Sequence, residues 1–142
     1  MYDGAVLSAD DAAISYTDYN IGRVLAEMEH QGFKNDTTVV VFGDHGYQLG
    51  EHDTWCKQTN FELGVHIPLI IRAPWMTASI GATSFALVEM VDVYPTLAAL
   101  SGLPPPEREG QGLNGTSLLP LFVAPVRRTP FFFGATSFSD EN

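Results

Sequence analysis

The stretch Val39-Val40-Val41-Phe42-Gly43-Asp44-His45-Gly46 decides how this chain is read. Its first four residues are apolar and mostly β-branched, the pattern of a strand buried on both faces, as in a parallel sheet. The run stops at a carboxylate and an imidazole, flanked by glycines that let the backbone turn tightly. In open α/β sheets, ligands bind just beyond the carboxyl ends of the strands, where Asp44 and His45 fall. A carboxylate oxygen and a neutral imidazole side by side can both ligate a divalent cation. The same residues also suit a plain turn, with Asp44 capping it and His45 at the surface.

Upstream, Ile14, Ile21, Leu25 and Met28 recur at helical spacing, which predicts a helix over 10–31 with Asp10 or Asp11 as its N-cap. Gly32 is placed to end it in the C′ role. Downstream, 44–64 is polar, aromatic and punctuated by glycine, a functional loop with room for a short helix. Ile67-Pro68-Leu69-Ile70-Ile71-Arg72 reads as a second apolar strand, with Pro68 at its start where a missing donor is tolerated. Residues 85–91 suit a short strand. Asp92 resembles the N-cap of a helix through Leu100, with Pro95 in its first turn and Gly102 and Pro104 beyond its end. Residues 103–116 are rich in Pro and Gly and read as a loop, and Phe131-Phe132-Phe133 as a final strand. The alternation predicts an α/β fold, a layered sheet with flanking helices.

The 142 residues suit one domain with one hydrophobic core. Seven basic against seventeen acidic side chains leave a net charge of −10, which argues against nucleic acid as a partner. An anionic substrate must then be drawn in locally, by a bound cation or a placed Lys. No apolar stretch reaches membrane-spanning length, so no membrane partner is expected. Residues 1–4 lack the basic and apolar regions of a signal peptide. The Asn35 and Asn114 sequons matter only in a secreted chain, and the compartment stays open. Cys56 stands alone, so no internal disulfide is available.

Four blocks follow one another from the deciding stretch: Asp44-His45-Gly46, Leu49-Gly50-Glu51-His52, Trp55-Cys56-Lys57 and Ile67-Pro68-Leu69-Ile70. With Ser15–Val24 upstream, and Val91–Leu97 and Gly112–Pro120 downstream, they strongly resemble the sulfatase family of the alkaline phosphatase superfamily, its iduronate-2-sulfatase branch most of all. The resemblance spans nearly the whole chain. It implies that 1–142 is part of a sulfatase catalytic domain, carboxyl-proximal, with the strands bearing the nucleophile and first metal ligands lying upstream. It implies hydrolysis of sulfate esters, of a sulfated small molecule or glycan, with a formylglycine nucleophile and a divalent cation, usually Ca2+. Asp44 and His45 match the downstream metal ligands; hard calcium favours Asp44 over His45. Lys57 matches the lysine that contacts sulfate, a compact point charge suited to an oxyanion. A solvated surface Lys is the plain alternative. His52 lines the pocket or organises the loop beside Glu51.

Formylglycine is made from the Cys or Ser of a Cys/Ser-x-Pro-x-Arg motif. Cys56, in Trp-Cys-Lys-Gln-Thr, lacks its Pro and Arg, so it is not the nucleophile and the isolated chain is expected to be inactive. The chain departs from the family in Gly43, where Ser is common, and in Asp53, where Gly is common. Trp55 and Tyr47 are expected to pack the loop, His66 and Arg72 to be structural, and His30 to serve the helix dipole. Two further readings remain: another hydrolase of the superfamily, such as a phosphodiesterase or phosphonate hydrolase, and a truncated non-catalytic binding paralogue.

Overall fold

The computed structural model describes residues 4–104 and 114–125. The Phe131–Phe133 strand and most of the 103–116 loop lie outside the described residues. Helix α1 spans Gly4–His30, longer at its start than the sequence predicts. Asp10 and Asp11 therefore sit inside the helix and cap nothing. Gly32, at φ 85°, ends it as expected, its N–H donating to Glu29 O at 3.0 Å.

Strand β1 (Val39–Phe42) follows and pairs with β4 (Leu69–Arg72), Val39 opposite Arg72 and Phe42 opposite Leu69. The pairing is antiparallel, not the parallel arrangement that the apolar run predicts. Among the described residues β4 is the only partner of β1, so the valines are half-buried and Phe42 is exposed. A continuous apolar run reports burial potential on both faces; it does not encode strand direction.

Between these strands, β2 (Gln48–Leu49) and β3 (Trp55–Cys56) form a small hairpin, and α2 (Glu62–Val65) is a single turn. Residues 85–91 form no strand and end in a short 3-10 turn at Met90–Asp92. Helix α3 (Val93–Leu100) then runs as expected. It closes on a paired-bond motif: Leu103 N–H donates to Ala98 O at 2.9 Å and Gly102 N–H, at φ 69°, to Ala99 O at 3.1 Å. Asp92 has helical backbone angles and makes no side-chain cap to α3. Its carboxylate instead accepts from Glu89 N–H at 2.9 Å and from Thr116 N–H at 2.7 Å, tying the helix to the returning chain.

The core lies on one face of β4. Ile67 and Val88 pack with Leu69, while Ala73, Leu100 and Phe122 pack with Ile71 and Met76. Leu118, just before α4 (Leu119–Val123), touches both groups. Leu69 and Ile71 thus face inward and Ile70 outward, the period-two alternation of a half-buried strand. This packing anchors β4, and β4 in turn holds the end of β1 from which the Asp-His turn projects.

Candidate functional site

Two hydrogen bonds fix the turn after β1. Gly43 N–H donates to Pro68 O at 3.1 Å, and Gly46 N–H donates to Gly64 O at 2.9 Å. A side chain at Gly46 is impossible as the backbone stands, because its Cβ would lie 1.8 Å from Leu63 O. Within the turn, His45 N–H donates to Asp44 Oδ1 at 3.1 Å. His45 Nδ1 lies 2.8 Å from Gly46 O, and since a carbonyl only accepts, Nδ1 carries the proton. Nε2 then presents its lone pair in the neutral ring, 3.4 Å from Asp44 Oδ2. The Asp44 side chain is 83% exposed and that of His45 33%. One carboxylate oxygen and one imidazole nitrogen stand together at an open edge, with the ring orientation set by the backbone. The same distance also suits an ion pair whenever the ring is protonated.

This donor set fits a divalent cation as far as it goes. A ring that gives its second N–H to a backbone carbonyl is the usual arrangement around a metal-ligating histidine. Among the described residues no group of three His, Cys, Asp or Glu converges, so this pair supplies only part of a coordination shell.

The hairpin loop carries the other candidates. His52, Asp53 and Cys56 all adopt left-handed backbone angles, at φ 57°, 54° and 81°. Such residues cost about 1–3 kcal/mol each and concentrate where geometry serves function. What holds them is Gln48, fully buried, whose Oε1 accepts from the Thr54 hydroxyl; that hydroxyl also lies 2.8 Å from Glu51 O. Glu51 reaches back to accept from Leu49 N–H at 2.7 Å, which with its own backbone N–H holds its carboxyl below the usual range. His52 stacks on Phe61, ring centres 4.4 Å apart. The structure thus brings His52 onto an aromatic ring, and no hydrogen bond or ion pair among the described residues joins it to Asp44 or His45.

Lys57 is exposed and forms no ion pair among the described residues, which leaves its charge available to an anion. Tyr47 and Trp55, expected to pack the loop, are each 48% exposed instead. A hydrogen bond with Cys56 raises the Tyr47 phenol above its usual range. His66 meets Glu62 at 3.1 Å across α2, and Arg72 sits at the end of the strand pair opposite the Asp-His turn. His30 lies in the last turn of α1, 3.6 Å from Glu27. An apolar groove of about 250 Å³, lined by Leu69, Ile70, Leu118 and Phe122 among others, runs along β4 and includes no candidate residue. Reading the sequence missed Gln48 and Gly64; their roles arise from burial and close approach, which leave no local signature.

Solved structures place the fold. A phosphonate monoester hydrolase from Silicibacter pomeroyi superposes at a TM-score of 0.63 with 36% identity, over 77% of this chain and 21% of its own. A protein solved in complex with its substrate D-glucosamine-2-N,6-O-disulfate superposes at 0.68 with 31% identity, over 87% of this chain and 23% of its own. The fold is therefore α/β of the alkaline-phosphatase-like hydrolase type, present in part. The profile of the Sulfatase family matches residues 3–103, and the chain belongs to that family. Human iduronate 2-sulfatase is 36% identical over an alignment covering 68% of this chain and 22% of that protein. Arylsulfatase K of Bos taurus is 34% identical over 77% of this chain and 19% of its own length. The chain spans about a fifth of the curated relatives that it matches.

Proposed function

We propose that this chain is the carboxyl-proximal part of a sulfatase catalytic domain that hydrolyses sulfate esters of a sulfated carbohydrate. Asp44 and His45 are its ligands to a divalent cation, calcium foremost, and Lys57 is its contact to sulfate. The observation that carries this reading is the Asp44–His45 pair, with Nδ1 tied to Gly46 O and Nε2 turned toward the carboxylate. Family membership supports it, as does a neighbour bound to a disulfated glucosamine. The cation supplies charge stabilisation and orientation when bound. The chain's own residues do the rest. Asp44 and His45 hold it, Gly46 O keeps the proton on Nδ1, and the Lys57 ammonium offsets negative charge on an anion's oxygens. His52, steadied by its stacking on Phe61, shapes the loop leading to Lys57.

The nucleophile motif is not in these 142 residues, so the isolated chain turns over no sulfate ester. A sulfatase assay on it tests this: turnover above background that disappears in Asp44→Ala contradicts the expected inactivity. The second reading, a phosphonate hydrolase, has the Silicibacter pomeroyi enzyme in its favour. The native product, captured from its source with an antibody to residues 12–72, separates the two. Release of sulfate from a sulfated glucosamine supports the first reading. Cleavage of a phosphonate monoester without sulfate release establishes the second.

A further inference from the structure

Gly64 stands between the two halves of the candidate site. On one side its carbonyl accepts from Gly46 N–H at 2.9 Å, and Gly46 O in turn holds His45 Nδ1 at 2.8 Å. On the other side a Cβ at Gly64 would lie 2.7 Å from Thr59 O and 2.9 Å from Thr59 Oγ1. Thr59 N–H donates to Lys57 O at 3.0 Å. One buried residue therefore spaces the backbone carrying the candidate sulfate contact from the backbone carrying a candidate metal ligand. Gly64 is not among the glycines at positive φ, so close approach, rather than backbone angle, is what demands glycine here.

We propose that Gly64 is a positioning residue: it seats the short α2 turn against Gly46 and so holds His45 in the tautomer that offers Nε2 toward Asp44. This rests on the metal-site reading above for its functional meaning. The Pro68 carbonyl completes the clamp by holding Gly43, so 64–68 grips both ends of the Asp-His turn. Adding one methyl at Gly64 forces α2 away from Thr59, and so either presses it into Gly46 or tilts it out of line with the Gly46 N–H. Either change breaks or bends the bond from Gly46 N–H to Gly64 O, so the turn that carries Gly46 O shifts away from His45 Nδ1. An imidazole without that acceptor favours the proton on Nε2, the wrong nitrogen for binding a cation toward Asp44.

Long-range 1H–15N NMR of the histidine rings in the full 142-residue chain tests this without metal, at about pH 8, above the ordinary imidazole range. In the native sequence His45 is expected with its proton on Nδ1. Gly64→Ala is expected to shift it toward Nε2, and to weaken Ca2+ binding by about 10–100-fold, as loss of an orienting partner does. Gly81→Ala is the control: it strains a glycine at φ 68° in open space and leaves the tautomer unchanged. An unchanged tautomer in folded Gly64→Ala overturns the proposal. A native His45 protonated on Nε2 overturns it with no variant needed. A tautomer that responds in a chain that takes up no Ca2+ upholds the positioning role while the metal reading falls.

Discussion

An imidazole nitrogen 3.4 Å from a carboxylate oxygen can make an ion pair or part of a metal site, and the proposed metal reading rests on Gly46. Its N–H, its carbonyl and its missing side chain are all used. Gly46→Ala is expected to cost about 3 kcal/mol, because the methyl meets a backbone carbonyl that no rotamer change can move; thermal unfolding beside the native chain measures it. Glu51 sets a pH dependence. Its folded carboxyl titrates below the usual range because of the Leu49 N–H, so its contribution is present above the unfolded value and is lost as pH falls through the folded one. An acid titration followed at the Leu49 amide should show a midpoint below that of an ordinary Glu, and a midpoint above it contradicts the assignment. Asp44 and His45 stand out in the sequence as a candidate pair because they are consecutive and end an apolar run. Gly64 does not, because its value lies in an approach to Gly46 from eighteen positions away, which no local pattern announces.

At the level of elements, the clearest join is between α3 and the segment leading into α4. Thr96, fully buried, donates to Asp92 O at 2.6 Å and accepts from Leu118 N–H at 2.8 Å. Thr96→Val keeps the shape and strands the partly buried Leu118 amide, at a cost of about 1 kcal/mol. Asp92→Ala, which loses bonds to Glu89 and Thr116, should cost a similar amount; chemical denaturation of both variants checks this. The helix at 93–100 could be read from its apolar content and its Gly102 stop. The use of Asp92 could not, since an Asp before a helix looks the same whether it caps that helix or reaches a chain segment 24 residues away. The β1–β4 pair shows the same limit: apolar composition located both strands, but their antiparallel register depends on how 43–68 folds back.

At the scale of the whole molecule, the one element among the described residues that α1 packs against appreciably is the turn at Phe33–Asn35. Ile14, Tyr16, Tyr19 and Val24 along it are each more than 60% exposed, as is Ile70 on the outer face of β4. Helical stability in proteins comes mainly from packing of an apolar face. Amides of 11–28 should therefore exchange with solvent at least ~10-fold faster than those of Val39–Phe42, by hydrogen exchange on the 142-residue chain. Equal protection would show that α1 is held by contacts the present packing lacks. The acidic surface fits the same picture, since a net charge of −10 favours uptake of a cation before an anion. Titrating Ca2+ into the 15N-labelled chain tests the central claim most directly. The account predicts shifts concentrated at 43–46 that vanish in Asp44→Ala; shifts unaffected by Asp44→Ala, or none at that turn, contradict it.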